Sequence, residues 1–523
     1  MAKRKSEKPE NMEDIRVKLK PLLGIQPGVY LTVLYAAVLA IILFFILLYP
    51  GIRNNGARIT CVTSPAGVRV LIDGRYAGET PCTVFAARGE RTVRFERDFF
   101  TPVEERISVP GRVFGSLLFP RKLALRRQLE LADTAGFLEA AFREACGWAL
   151  IDSYHANYQK PPVLRDIAET LTDAGVPGDT VEDFFESSMA LVANEPMLRD
   201  FILARFEARK ADGVLTINNA LEMLQDYIQY LDEHPAFLFW LPEALSSENR
   251  QRVTDGDWFL RSASGYGENS RNFSDSQQVR FARIPLGDGA FIGLRGGSFM
   301  LGRDSGTEYR VPVNLGDMYI LDREVTRGMF EDFISANPEW APSNRETLAE
   351  QGLVDASYLA DFEQAGRSGD PVRFVSYFAA SAYCLWLEEQ LTDLPEGWTV
   401  RLPFEAEWEW AALSDDRYAG TFQKTGITGP VPANGNINPL GIYDMSGNLW
   451  EWCENWYYPA GYTVTNGYSP AAEPRTFETG VEKAVRGGSW ANRREDVTIR
   501  TRGSQPAEWC TPFTGFRPVI VRE

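Results

Sequence analysis

The sequence predicts a multidomain α+β protein: a single transmembrane helix, a small β domain, an α-helical segment and a large C-terminal domain. Three observations carry this reading. Residues 21–52 hold no charged side chain. Between residues 57 and 127 apolar and polar side chains alternate with period two, the mark of strands. From residue 128 the apolar period lengthens to that of helices, and from residue 280 it gives way to short motifs rich in Gly and Trp.

Residues 1–28 read as a cytoplasmic tail and 29–50 as the membrane helix. Val29 to Tyr49 is almost wholly apolar, and about twenty such residues span a bilayer. Tyr30, Tyr35 and Tyr49 suit the interfaces. The run is too long for a cleaved signal peptide, and no small-residue cleavage site follows it. Lys3, Arg4, Lys5, Lys8, Arg16, Lys18 and Lys20 precede it, whereas only Arg53 and Arg58 follow closely. The positive-inside rule then places the N-terminus in the cytoplasm. In a bacterium the body lies in the periplasm, held by a single-pass anchor in the cytoplasmic (inner) membrane, where disulfides are permitted. The net charge of −17 belongs to the rest of the chain. An acidic body argues against nucleic acid as a partner.

Residues 57–127 form the β domain. Val68, Val70 and Ile72 alternate with Arg69, Leu71 and Asp73, and Asp73-Gly74 marks a hairpin turn. Thr83-Val84-Phe85 and Thr92-Val93-Arg94-Phe95 supply further strands. The string from Ser64-Pro65-Ala66-Gly67 through Asp73-Gly74 to Thr80-Pro81 resembles the PEGA domain, which implies a β-sandwich-like envelope module without enzymatic role. Cys61 and Cys82 flank the first hairpin and are candidates for a disulfide, subject to geometry.

Residues 128–255 read as helices. Asp133 suits an N-cap before the stripe Leu138, Ala141, Phe142, Ala145 and Ala149. Asp179 with Glu182 has capping-box spacing. Leu198, Phe201, Ile202 and Phe206 form another stripe, as do Leu221, Leu224, Ile228 and Leu231. His155 and His234, the two histidines of the chain, fall near helix ends and suit capping or surface roles. Residues 256–279, rich in Ser, Asn and Gly, suit a linker.

Residues 280–523 carry an ordered series of motifs. Gly296-Gly297-Ser298-Phe299-Met300-Leu301-Gly302 comes first, then Glu324-Val325-Thr326, then Arg401-Leu402-Pro403-Phe404-Glu405-Ala406-Glu407-Trp408-Glu409-Trp410. Gly441 through Trp452 follows, then Arg486-Gly487-Gly488-Ser489-Trp490 and Gly515-Phe516-Arg517. The series resembles the formylglycine-generating enzyme, or sulfatase-modifying factor, superfamily. The resemblance implies a variant of the C-type lectin fold, with few strands, two helices and long ordered loops. From the residues themselves, Ala380, Tyr383, Cys384 and Leu387 have helical spacing and Cys384 suits the core. Trp450, Trp452, Trp456, Tyr457 and Tyr458 suit either core or a stacking platform. Arg486 and Arg517 suit buried pairs with Glu405, Glu407 or Glu451.

The resemblance also implies a calcium site in the Asp444 loop. Its ligands are the Asp444 side chain and the carbonyls of Met445, Gly447 and Leu449, with Glu451 nearby as a further oxygen. Hard oxygen donors suit calcium. The family's other calcium loop looks shortened at Gly429–Pro439. The oxygen-dependent enzymes of the superfamily place two copper-binding cysteines shortly after Gly-Gly-Ser, where this chain has Asn492 and Val497. A related branch uses three histidines for iron, and no histidine occurs after His234. Neither copper nor iron is expected, and no catalytic residue is assigned. The substrate groove of active relatives maps to Asn492, Arg493, Val497, Trp490 and Trp456. Cys453 and Cys510 match positions that pair in relatives, which implies a structural disulfide.

Two classes of function remain. The first is a non-catalytic, membrane-anchored envelope protein whose C-terminal domain binds a glycan, cell-wall material or a partner protein. The second is an enzyme with other chemistry, carried by Glu405, Glu407 and Asp444 with Arg486 and Arg493. An accessory subunit that assembles an envelope complex through the helical segment is a third reading.

Overall fold

The computed structural model describes residues 20–522, apart from 24, 117, 155–160, 189–190, 193–194, 209–249, 252–253, 258, 262–263, 265–275, 303–310, 363, 365, 392–393, 395–396, 414–419, 424–435 and 459–479. His155, His234, the Leu221–Leu231 stripe, most of the 256–279 linker and most of Gly429–Pro439 lie outside the described residues. The chain divides into two compact units, residues 1–133 and 134–523.

The first unit opens with α1 (Pro27–Leu47) and its short continuation α2 (Tyr49–Arg53). Proline at the first helical position costs no hydrogen bond. This is one helix long and apolar enough to cross a membrane, and none of its apolar window is buried in protein. By length and composition it fits a single-pass anchor or a signal sequence.

Seven strands follow: β1 (Gly56–Ser64), β2 (Arg69–Ile72), β3 (Arg75–Glu79), β4 (Cys82–Ala87), β5 (Gly89–Glu96), β6 (Val103–Val109) and β7 (Arg121–Gln128). They make two sheets, in the orders β4-β1-β7 and β3-β2-β5-β6. The alternation along β1 buries Ala57, Ile59 and Cys61. Asp73 and Gly74 both have positive φ, 50° and 77°, the backbone that a two-residue hairpin turn requires. The Asp73 side chain then accepts from Thr92 N at 3.0 Å and pairs with Arg91 at 2.8 Å.

The second unit begins with α3 (Thr134–Tyr154), α4 (Val163–Asp173), α5 (Gly178–Ser188) and α6 (Glu195–Ala208). Asp200 of α6 accepts from the amides of Leu164 and Arg165 at 2.9 and 3.1 Å, so one helix caps the start of another. α5 starts at Gly178, so Asp179 lies inside its first turn rather than before it. Glu182 reaches across to the buried Arg205 at 2.7 Å, because an unpaired buried guanidinium is the costlier vacancy. Phe142 of α3 meets Tyr458 edge to face at 6.1 Å, so this helix rests on the C-terminal domain.

That domain contains β8 (Arg280–Leu286), β9 (Gly289–Leu294), β10 (Gly297–Leu301), β11 (Val311–Leu315), β12 (Met318–Leu321), α7 (Arg327–Ala336), α8 (Arg345–Glu350), α9 (Tyr377–Gln390), β13 (Trp398–Arg401) and α10 (Glu405–Ala412). Then come β14 (Trp450–Trp456), β15 (Glu482–Arg486), β16 (Arg502–Pro506), β17 (Thr514–Gly515) and β18 (Val519–Arg522). A five-stranded sheet runs β13-β18-β12-β9-β8, a four-stranded sheet runs β16-β15-β14-β17, and β10 pairs with β11. Thr326 and Ser376 cap α7 and α9 by accepting from Met329 N and Ala379 N.

Successive strand side chains point to opposite faces. In β9, Phe291 joins a core around Phe330, Tyr383 and Phe516, whereas Ile292 joins a second core around Trp408 and Trp410. Leu321 and Ile320 in β12, and Ile520 and Val519 in β18, divide the same way. The three inner strands, β9, β12 and β18, are therefore buried on both faces, which is why they read as nearly unbroken apolar runs. Cys384, Leu387 and Tyr383 of α9 lie in the first core, as their spacing predicts.

Candidate functional site

The two cores are joined by buried charges. Glu451, on β14, is fully buried. Arg517, just after β17, clasps it with two hydrogen bonds, Nε to Oε2 at 2.6 Å and Nη2 to Oε1 at 2.5 Å. Trp408 Nε1 donates to the same carboxylate at 2.8 Å. The remaining Arg517 donors reach the carbonyls of Leu321 and Tyr443 at 3.3 and 3.0 Å. Every edge of this pair is hydrogen-bonded, the condition under which buried ions are tolerated.

Glu324 holds the next loop from beneath. Its two oxygens accept from Asn448 Nδ2 at 2.5 Å and Leu449 N at 3.0 Å. Burial pushes its carboxyl well above the usual range, Asp444 and Glu451 push the same way, and Arg517 opposes them. Asp444 itself is buried, with φ 54°, and its Oδ1 accepts from Asn436 Nδ2 at 3.3 Å. Gly447, at φ 77°, donates to Gly487 O at 2.8 Å. A Cβ there would stand 2.4 Å from Thr421 O, so only glycine fits.

This arrangement bears on the expected cation. Three buried carboxylates, Glu324, Asp444 and Glu451, interact with a single guanidinium in the Glu324 environment, an excess of negative charge that a hard cation would relieve. The donors expected from the family resemblance are the Asp444 carboxylate and the carbonyls of Met445, Gly447 and Leu449. Glu451 does not fit, because both of its oxygens are taken by Arg517 and Trp408. Among the described residues no three His, Cys, Asp or Glu side chains converge as a metal group.

The carboxylates considered for catalysis are committed elsewhere. Arg502 holds Glu405 with two bonds of 2.7 Å. Arg401 holds Glu407 at 2.7 and 2.8 Å, and Glu407 also accepts from Phe404 N, closing the first turn of α10. Arg486 pairs with Glu409, whose carboxyl burial pushes up and Arg486 pulls back. Glu409 was not singled out by the sequence argument, although it lies in the same Glu-Trp-Glu-Trp run.

The Gly-Gly-Ser turn places the groove residues. Asn492 Oδ1 accepts from both Ser489 N and Ser489 Oγ at 2.9 Å, and Asn492 O accepts from Gln423 N at 2.8 Å. Val497 is buried, and its Cγ1 lies 2.5 Å from where a Cβ on Gly488 would stand. Arg493 is exposed and pairs with Asp496 at 2.7 and 2.8 Å. Trp490 donates to Pro512 O at 3.2 Å and stacks at a tilt on Phe513. Trp456 is not among these neighbours. It pairs with Lys483, at the far end of the β14–β15 ladder from Arg486.

The cysteines are all free thiols. Cys61 and Cys82 are direct cross-strand partners between β1 and β4. Cys453 and Cys510 are not brought together. Cys453 lies in the Trp408 core near Glu405 and Arg486, whereas Cys510 lies in the Phe330 core against Asp355. The intervening sheet separates the two, and burial pushes both thiols up.

Sequence reasoning also missed Lys483. Its ammonium sits 4.2 Å from the centres of both the Tyr377 and Trp456 rings and donates to Glu454 O at 2.7 Å. Tyr377 OH in turn donates to Glu454 Oε1 at 2.6 Å. Burial pulls the Lys483 amine down to about 8, against the pull of Glu454. A cavity of about 620 Å³ opens beside Tyr377 and Glu454, lined also by Leu385, Arg401, Phe404 and Arg522.

Two measurements check this electrostatic account. In the folded protein Lys483 loses its proton near pH 8, but the unfolded chain holds it to about 10.5. Between those values the unfolded state binds more protons, so stability contributed here rises with pH. Lys483→Met should abolish that rise in a pH series of urea unfolding, a difference of up to about 3 kcal/mol. Arg517→Met should cost about 3–5 kcal/mol by leaving Glu451 buried without its guanidinium.

Residues 288–522 match the sulfatase-modifying factor enzyme 1-like domain, and residues 57–114 match the PEGA domain. An "uncharacterized protein" of Borreliella burgdorferi is 23% identical over 525 residues, covering 98% of each chain. A formylglycine-generating enzyme of Thermomonospora curvata is 33% identical over 183 residues, 29% of this chain and 55% of the enzyme. The alignment thus spans about half of that enzyme's length. Among solved structures, Treponema denticola variable protein 1 aligns over 47% of this chain and 99% of its own, with 19% identity and a TM-score of 0.32. The chain therefore carries a PEGA domain behind its apolar helix and, at residues 288–522, a sulfatase-modifying factor enzyme 1-like domain.

Proposed function

We propose that this is a membrane-anchored periplasmic protein whose sulfatase-modifying-factor-like domain binds a ligand rather than modifying one. The ligand is a cell-envelope glycan, cell-wall material or a partner protein. One observation supports the reading: Asn492 and Val497, the positions that the family resemblance matches to the cysteines of copper-dependent relatives, both serve the fold. Asn492 closes the Ser489 turn, and Val497 fills the space beneath Gly488. A thiolate is what binds copper(I) and attacks, and neither side chain can replace it. The engagement of Glu405 and Glu407 by arginines removes two of the three carboxylates that other chemistry would need.

In this reading α1 crosses the inner membrane with the N-terminus in the cytoplasm, as the basic residues before it favour. The likeness to the Borreliella burgdorferi protein along its whole length supports treating anchor, PEGA domain, helices and C-terminal domain as one working unit. A lectin-like fold suits ligand capture at the exposed Trp490–Arg493 turn. One calcium, held by Asp444 and the carbonyls of Met445, Gly447 and Leu449, stiffens the loop beside that turn.

The test assays the full-length protein, purified in detergent, for bound metal and for retention on cell-wall material. We expect calcium and neither copper nor iron. Asp444→Asn should lose the calcium, and with it a stabilisation of about 2.7 kcal/mol at a hundredfold excess of ion over Kd. Arg493→Ala should weaken retention without altering the melting temperature. Stoichiometric copper or iron would overturn the proposal.

A further inference from the structure

We infer that the loop between β6 and β7 is a second membrane-inserting element, which seats the PEGA domain on the outer leaflet of the bilayer that α1 crosses. The inference rests on reading α1 as a membrane-spanning helix. Residues 111–122 read Gly-Arg-Val-Phe-Gly-Ser-Leu-Leu-Phe-Pro-Arg-Lys. In this loop Val113, Phe114, Leu118 and Phe119 are 42%, 66%, 55% and 65% exposed. So many large apolar side chains on one short loop are not explained by the domain's own core.

The depth of the loop is set by a direct bond to the helix. Gly115 N donates to Leu47 O at 2.7 Å, and the Val113 carbonyl lies against Gly51, where a Cβ would stand only 1.9 Å from it. Leu47 closes the apolar helix, and the first charge beyond it is Arg53. Six residues of helix rise about 9 Å, so the loop sits at the apolar edge of the bilayer, below the level of that charge. Its backbone is prepared for this. Leu118 N and Phe119 N both donate to Gly115 O, Arg112 donates to Phe119 O, and Pro120 has no amide to satisfy.

The strands around the loop carry the matching charge. β1 and β7 are parallel, with Ala57 opposite Arg121, so both leave the same end of the sheet. β4 reaches that end at Ala87, opposite Gly56, and Arg88 N donates to Asn55 O. Residues 50–63, 85–89 and 111–122 include Arg53, Arg58, Arg88, Arg112, Arg121 and Lys122 and no Asp or Glu. These six basic residues outnumber the neighbouring Asp73 and Glu90, and a net-basic rim on a chain of net charge −17 is complementary to anionic phospholipid headgroups. Apolar side chains at the centre with basic residues around them are the pattern of an interfacial anchor.

Spin labels on the full-length protein in phosphatidylethanolamine–phosphatidylglycerol vesicles test the proposal. Labels go at Phe114→Cys in the loop, Val38→Cys in α1 and Glu130→Cys past the far end of β7, roughly 25 Å along the strand. The unsubstituted protein serves as the labelling blank. We expect the label at 114 to match that at 38, rich in oxygen collisions and several-fold poorer than 130 in collisions with a water-soluble nickel complex. If 38 is lipid-exposed but 114 matches 130, the loop proposal is overturned and the anchor stands. If 38 is itself open to nickel, the anchor reading fails and the loop proposal with it.

Discussion

Arg517 and Glu451 meet at the point where the C-terminal domain's two cores, its two larger sheets and its long loops converge. Removing two such charges from water costs several kcal/mol per ion, and the cost is offset only when the remaining donors and acceptors are satisfied. Here Trp408 fixes α10 against the carboxylate, while the carbonyls of Leu321 and Tyr443 fix β12 and the Asp444 loop against the guanidinium. A domain with long irregular connections has few ladder bonds to hold those connections. Arginine–carboxylate pairs help to do that around α10: Arg502 and Arg401 each make two bonds, to Glu405 and Glu407, and Arg486 reaches Glu409 through Nη2.

This constraint separates the scaffold from the chemistry it supports in relatives. The Arg-Gly-Gly-Ser and Gly-Phe-Arg segments are needed to build the forks and turns, so they persist whatever the domain does. Positions 492 and 497 are different, because they contribute only to the local turn. There Asn492 closes a turn and Val497 fills the space beneath Gly488. Glu324 lies among like charges there, with Asp444 and Glu451 pushing its carboxyl up and Arg517 opposing them.

How much of this was legible depended on range. The helical spacing of Tyr383, Cys384 and Leu387, the Asp73-Gly74 turn and the alternation along β1 are local patterns, and each lies where the sequence predicts. Glu324 holds a loop 124 positions away, and Asp200 caps a helix 36 positions back. No local period encodes such partners. Glu182 shows the two ranges diverging: its spacing from Asp179 suits a capping box, but α5 already starts at Gly178 and Glu182 pairs with the buried Arg205. Cys453 and Cys510 were expected to pair from the family resemblance, yet Cys453 on β14 lies in the Trp408 core and Cys510, in the loop after β16, lies in the Phe330 core. Lys483 was invisible because its amine is perturbed by rings contributed from α9 and from its partner strand.

The central claim is that the frame of a modifying enzyme has been kept without its reaction. The most direct measurement incubates the full-length protein, supplied with copper(I), oxygen and reductant, with a peptide bearing a sulfatase-type cysteine motif, and follows the peptide by mass spectrometry. The account predicts a peptide of unchanged mass that still reacts as a thiol. Conversion of its cysteine to the formylglycine aldehyde would contradict it.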